Sequence, residues 1–267
     1  MAKKRRVNPL ECAREAALEA GAMLRARIGA PLDISEKGLR GDLVTEADRA
    51  SEALIVKRLR AAFPRSAILG EEGGLLAGNA AERWIIDPLD GTTNYAHGYP
   101  LYCVSIAYER DGALACGVVY APALDELYVA EAGSGAACNG RTISVSPVAA
   151  VADAMVCTGF QPARYERNGA RFAALSRRAQ AVRRDGAAAL DLAFVAAGRF
   201  DAFWETDLSP WDVAAGALIV REAGGFVSAI DGGPFAVEAR SVLASNGRIH
   251  AEMISALDVP LEPAGGL

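Results

Sequence analysis

The chain has 267 residues, of which 52% are hydrophobic and 23% are charged, so it can bury a full core and does not have the composition of a disordered chain. Its net charge of −5 argues against general nucleic-acid binding. The chain has only two histidines, His97 and His250, and this scarcity argues against a histidine-rich zinc site and a Ser-His-Asp triad. The chemistry of an active site therefore has to rest on carboxylates and hydroxyls.

Targeting and membrane segments are not expected. The basic residues 1–6 are not followed by an apolar stretch of signal-peptide type, which favours a frayed terminus over a targeting signal. The longest apolar runs are broken by charges or glycine, so no membrane span is predicted. The five cysteines are scattered and lack a Cys-x-x-Cys pair, which predicts reduced, mostly buried thiols in the cytoplasm.

Two helices are predicted near the start of the chain. Residues 8–11, Asn-Pro-Leu-Glu, combine an N-cap, a proline at the first helical position and a capping-box glutamate, and the alanine-rich helix should run to about Gly29. Residues 31–42 hold a proline and two glycines among charges and predict a mobile loop. Thr45 is the predicted N-cap of a second helix, which should end near Phe63.

Strand patterns follow the helices. Predicted strands occupy residues 67–69, 84–86, 101–109, 114–120, 126–130 and 142–145. Hairpin turns at Asp111-Gly112 and Asn139-Gly140 indicate a largely antiparallel sheet flanked by the first two helices.

The second half alternates helices with strands. Helices are predicted at residues 166–178, 187–198 and 210–223 and at the end of the chain, and strands at residues 200–205, 225–230 and 242–244. This alternation predicts a layered α/β fold of the α+β kind. Two closely packed lobes, residues 1–150 and 151–267, should form one catalytic unit with the active site in the cleft between them.

The segment from Trp84 to Tyr95 carries the strongest functional signal. Its apolar strand, residues 84–86, ends at Asp87 and Asp90, and Pro88 between them is incompatible with a regular ladder. Residues 91–93, Gly-Thr-Thr, suit a turn into a helix N-terminus that holds a phosphate. Carboxylates beside an anion site call for a cation, and Mg²⁺ fits. The alternative is an acidic turn with an ordinary threonine N-cap.

Further acidic residues occupy suggestive positions. Glu71 follows a short strand, Asp212 begins a helix, and Asp48 lies one turn inside the second helix. Each has a simpler explanation as a solvated loop residue, a partner of the helix dipole or a surface charge. Glu71 and Asp212 together with Asp87 and Asp90 could instead build a two-cation site for phosphoryl transfer.

Three motifs resemble those of the inositol monophosphatase family, the lithium-sensitive, Mg²⁺-dependent phosphatases. They are Gly-Glu-Glu at 70–72, Asp-Pro-Leu-Asp-Gly-Thr-Thr-Asn at 87–94, and Trp-Asp-Val-Ala-Ala-Gly at 211–216 with Glu-Ala-Gly-Gly at 222–225. The resemblance extends from about the first helix to Asn246, and residues 183–225 look most like the bacterial branch. It implies the family's αβαβα sandwich.

The resemblance implies two to three Mg²⁺ ions. The first would take Glu71, Asp87 and the backbone carbonyl of Leu89, and the second would take Asp87, Asp90 and Asp212. A weaker third ion would use Glu71 with waters. Asp87 would then bridge two cations at the usual two-metal separation.

It also implies the catalytic groups. Glu71 would act with Thr92, which orients the nucleophilic water, and with Asp48, which accepts a hydrogen bond from the Thr92 hydroxyl. The amides of Gly91, Thr92 and Thr93 would hold the phosphate.

The implied substrate contacts are Asp90, Gly91, Thr92, Thr93, Gly186, Ala187, Ala188, Glu205 and Asp212. Glu205 matches the glutamate that binds an inositol hydroxyl. Ala187 stands where the family has a hydroxyl residue, and Asp185 adds a charge there, so substrate identity is less determined than reaction class. Lys37 matches a loop lysine near the metals, with a solvated lysine as the alternative.

The resulting hypothesis is a Mg²⁺-dependent phosphatase of myo-inositol 1-phosphate and related polyol phosphates. Alternatives within the fold are fructose 1,6-bisphosphate, 3′-phosphoadenosine 5′-phosphate and histidinol phosphate. An alternative of another class is a regulatory partner of the transcription antitermination machinery, with protein contacts rather than direct nucleic-acid binding. By resemblance, Arg183-Arg184 would lie near a subunit interface and would be the place to look for such contacts. The resemblance also implies a homodimer, which is usual in the family.

Overall fold

The computed structural model describes residues 7–29, 34–36, 43–160 and 165–259, and the elements below belong to these parts of the chain. The α-helices are α1 (Pro9–Arg27), α2 (Glu46–Ala62), α3 (Thr92–Ala96), α4 (Tyr165–Ser176), α5 (Ala188–Ala196), α6 (Pro210–Glu222) and α7 (His250–Leu257). Three sheets accompany them, of two, eight and five strands.

The two-stranded sheet pairs β1 (Ile34–Glu36) with β2 (Leu43–Thr45). The eight-stranded sheet contains β3 (Ser66–Gly70), β4 (Gly74–Leu76), β5 (Asn79–Asp90), β6 (Cys103–Arg110), β7 (Ala113–Ala121), β8 (Glu126–Glu131), β9 (Ala136–Cys138) and β10 (Arg141–Thr142). Its order is β10-β9-β8-β7-β6-β5-β3-β4, and every pair is antiparallel except β3 with β5. The prediction of a largely antiparallel sheet is confirmed.

The five-stranded sheet belongs to the second half of the chain. It contains β11 (Met155–Thr158), β12 (Ala181–Arg183), β13 (Ala202–Thr206), β14 (Phe226–Ser228) and β15 (Ser241–Ser245), in the order β12-β11-β13-β15-β14. Strand β11 runs parallel to both β12 and β13, whereas β15 is antiparallel to its two neighbours. The C-terminal ends of β11, β12 and β13 therefore lie along one edge.

Three apolar cores define five layers. Helices α1 and α2 cover one face of the large sheet, where they bury Trp84 and Ile86, while Ile85 points to the opposite face because side chains alternate along a strand. On that opposite face, α5 and α6 pack between the large sheet and the five-stranded sheet. Helices α4 and α7 cover the outer face of the five-stranded sheet through Leu175 and Met253. The predicted αβαβα sandwich is confirmed.

Several local predictions need correction. The predicted loop at residues 31–42 contains strand β1, although the rest of it lies outside the described residues. The predicted strand at 142–145 is reduced to β10, which ends at Thr142. Strands β4, β9, β11 and β12 were not predicted, because segments of three or four residues show too little periodicity and are stabilised by neighbouring strands. The division into lobes at residue 150 stays a prediction.

The cysteines follow the prediction, since all five are unpaired and only Cys138 is partly exposed. Among the helices described, none combines the length and the apolar character needed to cross a membrane.

Candidate active site

The end of strand β5 brings the first two carboxylates into the centre of the fold. The strand continues through Asp90, but its pairing with β6 is interrupted between Asp87 and Asp90, where Pro88 cannot donate to a ladder. The predicted irregular turn is thus a break inside a longer strand. Asp87 accepts a hydrogen bond from the backbone N–H of Leu89 at 3.0 Å. Asp87 is 2% exposed and Asp90 8%.

Gly91 makes the turn from β5 into helix α3. Its φ is +85°, a left-handed conformation that glycine adopts without strain. A Cβ atom at this position would also lie 2.9 Å from the carbonyl oxygen of Leu101, so the site has no room for a side chain. Helix α3 begins at Thr92, and the predicted turn into a short helix is confirmed.

Asp48 of helix α2 contacts the hydroxyl of Thr92, the first residue of α3. The Thr92 hydroxyl lies 2.9 Å from a carboxylate oxygen of Asp48 and 3.1 Å from the carbonyl oxygen of Leu89. The other oxygen of Asp48 accepts from the backbone N–H and the hydroxyl of Thr45, at 2.8 and 2.6 Å. Asp48 is fully buried and acceptor-only when ionised, so the Thr92 hydroxyl donates to it.

Helix α2 also forms hydrogen bonds with two turns, one at Pro88 and one at Glu72-Gly73. The Ser51 hydroxyl donates to the carbonyl oxygen of Pro88 at 2.7 Å. The Glu52 carboxylate accepts from the backbone N–H groups of Glu72 and Gly73, at 2.9 and 2.7 Å. One face of α2 therefore fixes the turn that carries Glu71.

The second half of the chain contributes from helices α5 and α6. The backbone N–H of Ala189 donates to Asp90 at 2.8 Å, and the side-chain amide of Asn94 donates to the carbonyl oxygen of Asp185 at 2.8 Å. Asp212 lies in the first turn of α6, where its carboxylate accepts from the N–H of Ser209 at 2.6 Å in a capping box. The contacts of Asp90 with Ala189 and of Asn94 with Asp185 join residues 99 and 91 positions apart.

Glu205 projects from strand β13 on the far side of the site. A Cβ atom at Gly159 would collide with its carboxylate, so a glycine is required beside it. Burial, followed by the charges of Asp212 and Asp90, raises the pKa of Glu205 well above its ordinary value, whereas Arg184 acts in the opposite direction.

These groups surround one cleft of about 440 Å³. The predicted residues that line it are Glu71, Asp87, Leu89, Asp90, Gly91, Thr92, Thr93, Gly186, Ala188, Glu205 and Asp212. Of the other two predicted residues that are described, Asp48 lies behind Thr92, and Ala187 is a buried N-cap of α5 rather than a lining residue. Their predicted roles stay predictions. Lys37 lies outside the described residues.

Like charges dominate the floor of the cleft. Burial and then the neighbouring charges of Glu71, Asp90 and Asp212 raise the pKa of Asp87 well above its ordinary value. Burial is also the main cause that raises the pKa of Asp90 to about 6. Such a concentration of buried carboxylates is favourable only with protons or cations among them.

The donor set fits a hard cation. It consists of four carboxylates and the Leu89 carbonyl, all oxygen donors, which is the ligand type of Mg²⁺. Among the described residues, no three of these carboxylates place one oxygen each within 4.8 Å of one another.

Some lining residues were not predicted from the sequence. Asn94, Gly159, Phe160 and Leu208 all line the cleft. Asn94 closes the motif that begins at Asp87, which could have identified it. The others follow strands or loops without a motif of their own, and Gly159 follows β11, which was itself missed.

Comparison with known proteins gives consistent results. The profile of the inositol monophosphatase family matches residues 7–259. The chain is 47% identical over 252 residues to an inositol-1-monophosphatase of Synechocystis, covering 93% of this chain and 88% of that protein. It is 44% identical to the Nus factor SuhB of Pseudomonas aeruginosa, covering 87% and 89%. It is 39% identical to a fructose-1,6-bisphosphatase/inositol-1-monophosphatase of Thermotoga maritima, covering 92% and 94%.

A solved structure is similar over nearly the whole fold. The extragenic suppressor protein suhB of Bartonella henselae superposes with a TM-score of 0.90 at 41% identity. The superposition covers 93% of this chain and 97% of that one.

Proposed function

Because the chain belongs to the inositol monophosphatase family, we propose that it is a Mg²⁺-dependent phosphomonoesterase that hydrolyses myo-inositol 1-phosphate and related polyol phosphates. The observation that carries the proposal is the convergence of Glu71, Asp87, Asp90 and Asp212 on one cleft that also contains Glu205. The first four suit metal ions and the phosphate, and the fifth suits the hydroxyls of a polyol.

The proposed metal ligands are divided between two positions. Glu71, Asp87 and the Leu89 carbonyl would hold the first Mg²⁺, and Asp87, Asp90 and Asp212 would hold the second, with a weaker third position at Glu71. When bound, these ions supply activation of a water and stabilisation of the charge on the phosphate.

Thr92 and Asp48 would orient the attacking water. The Thr92 hydroxyl has one hydrogen and directs it to Asp48, which keeps an oxygen lone pair free to accept a hydrogen bond from a water in the cleft. Asp48 is held in turn by two hydrogen bonds from Thr45, so the direction of the Thr92 hydroxyl is fixed before substrate binds. This preorganisation lowers the cost of reaching the transition state.

The phosphate would bind at the start of helix α3. Gly91, Thr92 and Thr93 line the cleft next to Asp90, and their backbone N–H groups would hold the phosphate. Amides at a helix start bind anions. Only glycine fits at position 91, which keeps this turn close to the phosphate.

Glu205 would bind hydroxyls of the leaving group, together with Gly186, Ala188 and the adjacent segment. A carboxylate accepts hydrogen bonds from a polyol and repels an anionic leaving group such as a nucleotide. Burial is the main cause that raises the pKa of Glu205, and the charges of Asp212 and Asp90 add to it; the same negative charges disfavour a second phosphate there.

The experiment measures phosphate release, with and without Mg²⁺, from inositol 1-phosphate, glycerol 2-phosphate, fructose 1,6-bisphosphate, histidinol phosphate and 3′-phosphoadenosine 5′-phosphate. We expect Mg²⁺-dependent preference for the inositol ester. Glu205→Gln should reduce that preference, whereas the matched change at the exposed Glu131 should not. Preference for another ester in the wild type would overturn the substrate assignment.

Two other functions are candidates, because two relatives of this chain are named for them. The Thermotoga maritima relative favours fructose 1,6-bisphosphate as a second substrate. The Pseudomonas aeruginosa relative favours a role as a Nus factor, with contacts to transcription proteins and Arg183-Arg184 as the surface to test. Absence of turnover for all five esters would favour this regulatory role.

We further infer a homodimer in the cytoplasm. The homodimer rests on family resemblance, and size-exclusion chromatography with light scattering tests it. The cytoplasm is supported by five unpaired cysteines, which persist in reducing compartments.

A further inference from the structure

A second group of metal-ligating side chains lies beside the cleft. The sulfur of Cys157 and one carboxylate oxygen each of Asp185 and Asp191 all lie within 4.8 Å of one another. Cys157 and Asp191 are almost fully buried, at 0% and 1% exposure, and Asp185 is half-buried. None of the three belongs to the ligand set proposed above for Mg²⁺.

The topology brings these residues together from separate elements. Cys157 lies in β11, opposite Arg183 in the parallel strand β12. Asp185 follows β12 by two residues, and Asp191 lies in the first turn of α5. The group is therefore placed where parallel strands end and a helix begins, which is the usual location of ligand sites in α/β sheets.

Asp191 is the unusual member of the group. Neither of its carboxylate oxygens has a hydrogen-bond partner in the part of the chain that the structure describes, although both are buried. A buried carboxylate without partners is costly when ionised, so it must hold a proton or a cation. Burial, then the charges of Asp185 and Asp90, raises the pKa of Asp191 well above its ordinary value.

Cys157 shares this environment. Burial, followed by the charge of Asp191, raises the pKa of its thiol, while the backbone N–H of Asp185 acts on the sulfur in the opposite direction. A cation at this position would compensate two carboxylates and stabilise the thiolate at the same time.

We propose that Cys157, Asp185 and Asp191 form a site for one thiophilic divalent cation of the Zn²⁺ class, separate from the Mg²⁺ ligands. Thiolate and carboxylate donors together suit Zn²⁺, whereas Mg²⁺ takes oxygen donors alone. Binding displaces the proton of the Cys157 thiol, which passes to solvent or buffer. Asp185 also lines the cleft, so the proposed site borders it.

The geometry is compatible with this ion. Zn²⁺ binds sulfur at about 2.3 Å and carboxylate oxygen at about 2.0–2.2 Å, so tetrahedral ligand atoms lie roughly 3.5 Å apart. The three ligand atoms lie within 4.8 Å of one another, so no separation has to close by more than roughly 1.3 Å. Asp185 is half-buried and can supply that movement by a change of rotamer.

The test uses the full chain in excess Mg²⁺, which occupies sites built from oxygen donors. Zn²⁺ is titrated calorimetrically, and Co²⁺ is added as a spectroscopic substitute because cobalt bound to a thiolate gives a charge-transfer band in the near ultraviolet. We expect one equivalent of either ion with that band. Cys157→Ala should remove the band, and both Cys157→Ala and Asp191→Asn should weaken Zn²⁺ binding by about 10- to 100-fold or more.

Cys103 provides the matched control. It is a buried thiol as well, and its sulfur lies 3.5 Å from Asp90, next to the proposed Mg²⁺ ligands. Cys103→Ala should keep both the band and the stoichiometry. Loss of the band in Cys103→Ala, or its retention in Cys157→Ala, would overturn the proposal.

X-ray absorption at the zinc edge of the wild-type protein covers the case in which a variant does not fold. One sulfur and several oxygen neighbours are expected, and a shell of only oxygen or nitrogen would refute the site. Because these readouts do not involve hydrolysis, their failure would leave the phosphatase proposal unaffected.

Discussion

The turn that carries Glu71 depends on Glu52, and Glu52→Gln tests that dependence. The Glu52 carboxylate is 8% exposed and accepts two backbone N–H groups, at 2.9 and 2.7 Å. It is also closely surrounded, since a Cβ atom at Gly70 would collide with it. A buried carboxylate in this position therefore has little freedom to adjust.

Glutamine keeps one oxygen acceptor but places an NH₂ donor against the second backbone N–H. The variant loses one charge-assisted hydrogen bond, worth about 1.5–3 kcal/mol, and leaves a buried donor unsatisfied. We expect the free energy of unfolding to fall by about 2–4 kcal/mol. If about 1.4 kcal/mol of this is expressed locally in the Glu71 turn, Mg²⁺ activation should need about tenfold more Mg²⁺.

Urea unfolding measures the first effect, and phosphate release across a Mg²⁺ titration measures the second. Glu46→Gln is the matched control, because Glu46 lies on the same helix and is exposed. We expect it to change neither quantity. Wild-type stability and an unchanged Mg²⁺ dependence in Glu52→Gln would refute the argument that this side chain holds the turn.

Three further predictions concern catalysis, specificity and pH. Thr92→Val should lower turnover by about 10²-fold or more with the KM little changed, because the attacking water loses the hydroxyl proposed to orient it. Steady-state kinetics on inositol 1-phosphate measure this effect, and an unchanged turnover would contradict the proposed role of Thr92. Gly159→Ala should raise the KM for inositol 1-phosphate by about tenfold or more, because the new methyl group displaces the Glu205 carboxylate. An equal rise in the KM for glycerol 2-phosphate would contradict a specific role of Glu205 in inositol recognition. Burial lowers the pKa of His250, so the unfolded chain, whose histidine titrates near 6.5, takes up the proton first, and the contribution of His250 to stability should fall as the pH drops below about 6.5. In urea unfolding, the difference in free energy of unfolding between His250→Gln and the wild type should shift in favour of the variant as the pH falls from about 7.5 to 5, with the exposed His97→Gln as the control, and a difference independent of pH would disprove the assignment.

Lithium inhibition is expected from family resemblance. Added Li⁺ should inhibit turnover by occupying the proposed second Mg²⁺ position, which includes Asp212. Insensitivity in the phosphate-release assay would place the chain with less sensitive relatives without removing the phosphatase proposal.

Much of the cleft was predictable because its signals are local. Pro88 and Gly91 restrict the backbone between strand and helix, and both act through their own covalent structure. Thr45 caps α2 three residues from Asp48, so that capping box was also readable along the chain.

Other parts of the site depend on residues distant in sequence. Ser51 and Glu52 read as an ordinary helix face, and their partners lie on turns at Pro88 and at Glu72-Gly73. Ala189 gives no sequence signal at all, because its contribution to Asp90 is a backbone N–H placed by the packing of α5.

The sequence by itself determined the order of the motifs, the strand-to-helix turn at residues 84–96 and the oxygen-rich donor set, since these follow from local backbone restrictions and side-chain chemistry. Only the tertiary structure decided which distant groups share one environment. Asp191 illustrates the difference: it is one acidic residue in a helix until the parallel strands β11 and β12 place Cys157 and Asp185 beside it. The physical reason is that such short strands are stabilised by their neighbours in the sheet rather than by their own residues.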